Sequence, residues 1–323
     1  MRIRSSCAVA LVTITAGFQL MSEGSAQSFP TKPIRYILPS SGSTEILARL
    51  MAQGMTEVLG QQVFVDVRTG ASGNIGAELA ARAPADGYTV LQAQQSHTLN
   101  VSFFRSLTYD FLRDFSAVTQ TDSVPNFVVV HPSLPVMSIR DLVSLTKKRP
   151  GMINYASAGN GSATFLAAEL FKMVAGINLV EVPYRGGGPA QTAVISGEVS
   201  VYFAPIATAL PFVQERRLRA LAITASKRVP MLPDYPTVSE SGYPGYEFGG
   251  WHGLVSPAKT PREIIAKIHA AAVATLNRPD INKRMRDLGF TIIGNRPDEF
   301  AEFMKADVEK WRKVVLEKGL TAD

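Results

Sequence analysis

Cysteine is almost absent from this sequence: Cys7 is the only one, and it lies near the N-terminus. Arg2 and Arg4 precede it, an apolar run extends to Met21, and Gly24 and Ala26 follow as small residues. That order is the pattern of a secretory signal spanning residues 1–26 and cleaved after Ala26. The run is shorter than the roughly 20 apolar residues needed to span a bilayer, and no other segment approaches that length. Export therefore removes the one thiol. The mature chain is expected to lack disulfides, a thiol nucleophile and thiolate metal ligands.

Other absences narrow the function. Charged residues make up 19% and aromatic residues 8% of the chain. Basic residues such as Lys147, Lys148 and Arg149 are spread as helix-face charges without interleaved aromatics, so nucleic-acid binding is not indicated. Removing Arg2, Arg4 and Glu23 from 33 basic and 27 acidic residues leaves 31 against 26, a mature charge of +5 that suits small anions. No Gly-x-Ser-x-Gly elbow and no Gly-Lys-Ser phosphate loop occurs. Gly159-Asn160-Gly161 resembles a dinucleotide fingerprint, but its third glycine position is Thr164. The four histidines, His97, His131, His252 and His269, show no metal-ligand spacing. Nothing assembles an acid, a base and a nucleophile, so neither catalysis, a metal nor a cofactor is expected.

What the chain does have is alternation. Apolar strand patterns at Ile34–Leu38, Val63–Val67 and Tyr88–Leu91 are separated by helical patterns at Ser43–Leu59 and Asn74–Arg82. The rhythm restarts with strands near Phe127, Ile153, Leu179, Val199 and Leu218, and helices from Ile139, Ala163 and Pro189. From Thr260 the chain turns mostly helical, with a capping box read at Thr260, Pro261 and Glu263. Two such βα series predict two α/β lobes built on parallel strands.

Four loops share one composition: Pro39–Thr44, Gly70–Asn74, Ser157–Ser162 and Tyr184–Gly188. Each follows a strand and opens a helix. The first turn of a helix leaves backbone N–H groups unpaired and carries roughly +0.5 charge. Glycine and serine let an anion reach those groups. One such loop is ordinarily just a helix cap; four facing one cleft form a carboxylate or phosphate site.

Several runs then resemble one family. KPIRYILP with GSTEILAR, GASGNIGAELAARAPADGYTVL, INYASAGNGSATFLAAELF, VPYRGGGPAQTAVISGEV, LRALAITASKR, LPDYPTVSESGYPGYE and GWHGLVSPAKTP follow the order found in the Bug family of periplasmic receptors of tripartite tricarboxylate transporters. The resemblance covers the mature chain. It implies a two-lobed periplasmic binding protein, a Venus flytrap of type II with crossover hinge strands. One lobe would combine residues 28–128 with 251–323, and the other would be 129–250. It further implies a monomer in the periplasm that delivers a small di-, tri- or aromatic carboxylate to a two-subunit membrane permease. An exported carboxylate enzyme and a ligand-presenting sensor for a membrane kinase are the alternatives.

Carried over by position, the ligand contacts would be Ser40, Ser41, Ser43, Thr44, Gly73, Asn74, Asn160, Gly161, Ser162, Ala163, Thr164 and Arg185. Ser96 and His97, from the loop expected after the Tyr88–Leu91 strand, are added. Arg185 would pair with a second carboxylate. Two departures bear on the ligand. Relatives read Pro-Phe-Pro-Pro-Gly-Gly-Ser-Thr-Asp at the first loop, where this chain has the shorter Pro39-Ser40-Ser41-Gly42-Ser43-Thr44-Glu45. Relatives read Phe-Asp-Asn where this chain has Phe203-Ala204-Pro205, and Ala204 would leave a ligand ammonium without an acidic partner. Phe103, Phe104 and Phe203 are read as core residues that could also suit an aromatic or aliphatic dicarboxylate.

Overall fold

The computed structural model describes residues 29–40, 43–225, 227–229, 232–319 and 321. The leader, its cleavage point and Ser41 lie outside the described residues, as does the side chain of Ser43. Among the described residues no helix is long and apolar enough to cross a membrane.

The chain opens with β1 (Ile34–Leu38), α1 (Ser43–Leu59), β2 (Val63–Val67), a short turn at Ala71–Gly73, α2 (Asn74–Ala81), β3 (Thr89–Gln94) and α3 (Gln95–Phe103). Strand β1 is wholly apolar but for Arg35, and Ile34, Tyr36, Ile37 and Leu38 are fully buried, as a parallel strand covered on both faces requires. Leu47, Met51 and Met55 recur every four residues along α1 and point into that core. Gly60 ends the helix in the left-handed conformation at φ 66°.

Strand β4 (Phe115–Val130) then runs through both halves of the molecule. Residues 115 to 125 pair with β9 (Gly249–Pro257), giving a first sheet of order β2-β1-β3-β9-β4. From Asn126 to Val130 the same strand pairs with β7 (Val201–Pro205) on one side and β8 (Arg219–Ile223) on the other. Between these crossings lie α4 (Ile139–Lys148), β5 (Asn154–Ser157), α5 (Ala163–Ala175), β6 (Val180–Pro183), α6 (Gly187–Ile195) and α7 (Ile206–Gln214). Parallel pairing of β7 with β5 and of β5 with β6 completes the second sheet.

The chain returns at Phe248, whose N–H reaches Thr224, and pairs Gly249 with Pro125. Two adjacent antiparallel strands therefore join the halves. Beyond them come α8 (Arg262–Leu276), α9 (Pro279–Asp287), β10 (Thr291–Ile292) against β4, and α10 (Pro297–Lys318). Phe300 and Met304 of α10 pack in the first half, whereas Trp311, Val314 and Val315 join the second core beside Phe248. The last helix thus spans the junction.

Two local expectations need correction. Thr260 does not cap α8: its hydroxyl donates to the Pro257 carbonyl at 2.7 Å, and the helix begins at Arg262. The segment after the third strand is not a loop, because the strand runs to Gln94 and α3 follows at once.

Candidate functional site

Three of the four small-residue loops meet around a cavity of about 490 Å³ between the halves. Pro39, Ser40 and Thr44 come from the β1–α1 loop, and Thr69, Gly70, Ser72 and Gly73 from the β2–α2 loop. Ala158, Asn160, Gly161, Ser162 and Ala163 face them from the β5–α5 loop. Gln94, Gln95 and Ser96 at the start of α3, with Gly250, Trp251 and His252 of β9, complete the wall.

The second loop has unusual backbone. Gly70, Ala71, Ser72 and Gly73 all take positive φ, at 125°, 46°, 54° and 93°. Alanine and serine there cost on the order of 1–3 kcal/mol each. The surroundings hold them in place: Ser96 Oγ and Asn100 Nδ2 both donate to the Ser72 carbonyl, at 2.9 and 3.1 Å. Successive left-handed residues form a concave backbone of the kind that suits anions, with the Gly73 N–H closed onto the Gly70 carbonyl at 2.9 Å.

A chain of neutral polar groups supports the rim. Ser40 Oγ donates to Gln94 Oε1 at 2.8 Å, and Gln94 Nε2 donates to Ser96 Oγ at 3.0 Å. Across the cavity, Ser162 caps α5 by accepting the Phe165 N–H at 3.3 Å. Among the described residues no lysine or arginine lines the cavity. His252 does, with Nδ1 2.9 Å from the fully buried Asp122. The cavity thus presents hydroxyls, amides, helix N-termini and one imidazole.

Ser40, Thr44, Gly73, Ser96, Asn160, Gly161, Ser162 and Ala163 are brought together as expected from the sequence. Five others fall elsewhere. Asn74 Oδ1 is occupied by Asn100 and Tyr109, each at 2.7 Å. His97 is fully buried: it accepts the Gln94 N–H through Nδ1, and its Nε2 faces the Gly73 carbonyl. Burial holds its pKa down at about 4, so it is neutral and braces the loop from behind. Thr164 Oγ1 is turned inward to accept the Ala158 N–H at 2.8 Å. Arg185 is exposed outside the cavity. Ala204 is fully buried in the core of the second half, so its small side chain says nothing about a ligand ammonium.

The fourth loop fails to reach the cavity for a topological reason. Strand β6 is the outer edge of its sheet, beyond β5, so its loop sits one strand spacing further out. Phe103 and Phe203 pack in the core, with Phe104 partly buried against it. Missed by sequence reasoning were Gln94, Gln95 and Trp251, while His252, near a loop in the sequence and read there as a packing residue, lines the cavity. Gln94 and Gln95 lie at a strand-to-helix junction without glycine, and Trp251 and His252 lie on a hinge strand whose flanking glycines precede no helix. A cavity of about 520 Å³ beside the crossing strands, lined by Ser123, Pro125, Gly249 and Lys310, receives none of the glycine loops.

Two α/β halves, a pair of crossing strands and a cleft walled by strand-to-helix loops define a two-lobed solute-binding protein of the periplasmic type. More narrowly, the chain belongs to the tripartite tricarboxylate transporter family receptors, whose profile matches residues 47–320. It is 32% identical to the protein BugT of Bordetella pertussis, over 96% of each chain. Among solved structures it is similar to Rpa4515 of R. palustris with adipate, at 34% identity and TM-score 0.81, covering 91% of this chain and 99% of that one. It is also similar to MatC of Rhodopseudomonas palustris with bound malate, at 30% identity and TM-score 0.77, covering 89% and 100%.

Proposed function

We propose that this receptor captures a small carboxylate between its lobes in the periplasm and hands it to a two-subunit membrane permease, without chemical turnover. The observation that carries this reading is the meeting of three glycine- and serine-rich helix starts, from both lobes, on one cavity that no described lysine or arginine lines. Such a site holds a carboxylate by backbone N–H groups and hydroxyls and leaves selectivity to shape. The adipate and malate held by two relatives of known structure support that ligand class.

The ligand contacts we assign are Ser40, Thr44, Gly73, Ser96, Asn160, Gly161, Ser162 and Ala163, with Ser72 and Gln95 added. The moving bodies divide at the sheet change rather than after residue 128: β4 pairs with β9 up to Pro125 and with β7 from Asn126, so Phe127 and Val128 go with the second body. They hinge where β4 and β9 cross side by side, at Val124–Asn126 and Phe248–Gly250. The monomer is the working unit.

A thermal-shift screen tests the reading, with adipate, malate, citrate, benzoate and nicotinate beside a set of amino acids. A ligand at 100 times its dissociation constant stabilises the protein by about 2.7 kcal/mol. The expected result is a shift with at least one carboxylate and recovery of that compound unchanged. A shift with amino acids alone, or consumption of the compound, overturns the proposal.

A further inference from the structure

The cavity wall contributed by the β5–α5 loop rests on a carboxylate. Glu181 of β6 lies in register with Tyr155 of β5, on the sheet face that α5 covers. Ser157 Oγ donates to Glu181 Oε1 at 2.5 Å and accepts the Gly159 N–H at 3.1 Å. With its amide nitrogen turned toward the carboxylate, Asn160 donates to both Glu181 oxygens, at 3.2 and 3.3 Å. Asn160 itself lines the cavity. One side-chain amide therefore separates Glu181 from the space a ligand carboxylate would occupy.

The surrounding charges leave Glu181 uncompensated. Glu169 of α5 is matched by Lys172 at 2.6 Å and also receives the Tyr155 hydroxyl at 2.7 Å. Glu169 and Lys172 are the charged groups acting on Glu181 from the neighbouring helix, and they act in opposite directions. The direct partners of Glu181, Ser157 and Asn160, are neutral. Burial pushes its carboxyl above the usual range, with Glu169 adding to the effect and the Ser157 bond and Lys172 opposing it.

We propose that Glu181 is a specificity-determining residue that limits how much negative charge the cleft accepts. This rests on the carboxylate reading above and narrows it: monoanions and dianions are taken in preference to trianions. Each unit of ligand charge meets the same fixed negative group across a partly desolvated gap, so the penalty grows with ligand charge. Removing it changes affinity by roughly tenfold for each ligand charge near the loop. Because Glu181 can take up a proton, ligand affinity also weakens as pH rises through its titration, and bound ligand raises its pKa in return.

Calorimetric titration of the full mature protein with adipate and with citrate, between about pH 5 and about pH 8, tests this on wild type and Glu181→Gln. Glutamine keeps an acceptor for Ser157 and Asn160 while removing the charge. Comparing the two proteins at each pH cancels the ionisation of the probes. Glu181→Gln is expected to bind both probes more tightly toward the upper end of the range, with citrate gaining more than adipate. Identical pH profiles, or equal gains for the two probes, overturn the proposal. Should the variant fail to fold, carbon-13 titration of the glutamate carboxyls in wild type replaces it. Adipate must raise the Glu181 midpoint, and an unmoved midpoint overturns the proposal. If neither probe binds wild type at any pH, the carboxylate reading itself falls and takes this inference with it.

Discussion

His97 Nε2 lies 3.3 Å from the carbonyl oxygen of Gly73, placing a buried imidazole behind the left-handed turn of the cleft. Its Nδ1 accepts the Gln94 N–H, so Nε2 is the protonated nitrogen of a neutral ring.

Acid stability follows from that ring. Burial lowers the His97 pKa from 6.5 to about 4 in the folded protein. The unfolded chain therefore binds the proton first as pH falls. Stability is full above about pH 6.5 and is lost between there and about pH 4, by roughly 3 kcal/mol in all. Urea unfolding of His97→Asn should start from a lower stability but show a flatter dependence in that window. A slope equal to wild type would refute the assignment.

Fluorescence offers a direct readout of ligand capture. The protein has two tryptophans. Trp251 borders the cavity, whereas Trp311 is buried in the second core. Ligand-induced change in emission should persist in Trp311→Phe and vanish in Trp251→Phe. The reverse pattern would mean that the ligand binds elsewhere.

Gly161 tests the approach of the lobes. Its φ is +74°, and a Cβ there would lie 3.1 Å from the Phe103 ring and 3.7 Å from Ser72 Oγ. Gly161→Ala adds backbone strain of about 1 kcal/mol and pushes the β5–α5 loop off α3. Carboxylate affinity should fall about tenfold or more, read by titration calorimetry. Unchanged affinity would show that this contact does not shape the bound state.

Asp307 should be a stability residue. Its Oδ2 accepts from Thr98 Oγ1 at 2.6 Å and from Trp251 Nε1 at 2.9 Å, tying α10 to α3 and to the crossing strand β9. Asp307→Ala strands two buried donors and should cost about 3 kcal/mol in chemical denaturation. Asp307→Asn keeps an acceptor and should cost less. Burial raises the Asp307 pKa, so the contribution of Asp307 to stability declines as pH rises above the ordinary carboxylate range, and the difference between wild type and the asparagine variant should shift in that direction. Equal losses for both variants would argue against the hydrogen bonds as the cause.

Much of the fold was legible before any coordinates. Strands β1 and β2 and helices α1 and α4 fall where periodicity predicts them, because each carries a complete local signal: an apolar run, a capping serine or a terminal glycine. Strand β9 and helices α3 and α7 were not recognised. Gly249-Gly250-Trp251-His252 has no strand-like pattern and is held by pairing with β4, a partner more than a hundred residues away. Helix α3 buries the polar Gln95, His97, Thr98 and Asn100, so its sequence lacks an apolar stripe.

By itself the sequence determined that helix starts with exposed amides would exist, since small residues between an apolar strand and an amphipathic helix dictate that locally. It also determined the family, because order and composition of many runs are readable without contacts. Only the tertiary structure decided which starts share a cavity. Strand order sets that: β5 stands inside and β6 at the edge, so Gly161 reaches the cleft and Gly187 does not. It also decided that His97 and Asn74 serve as braces and that Glu181 sits beneath the anion loop, because burial and hydrogen-bond partners come from long-range packing, on which local sequence carries no information.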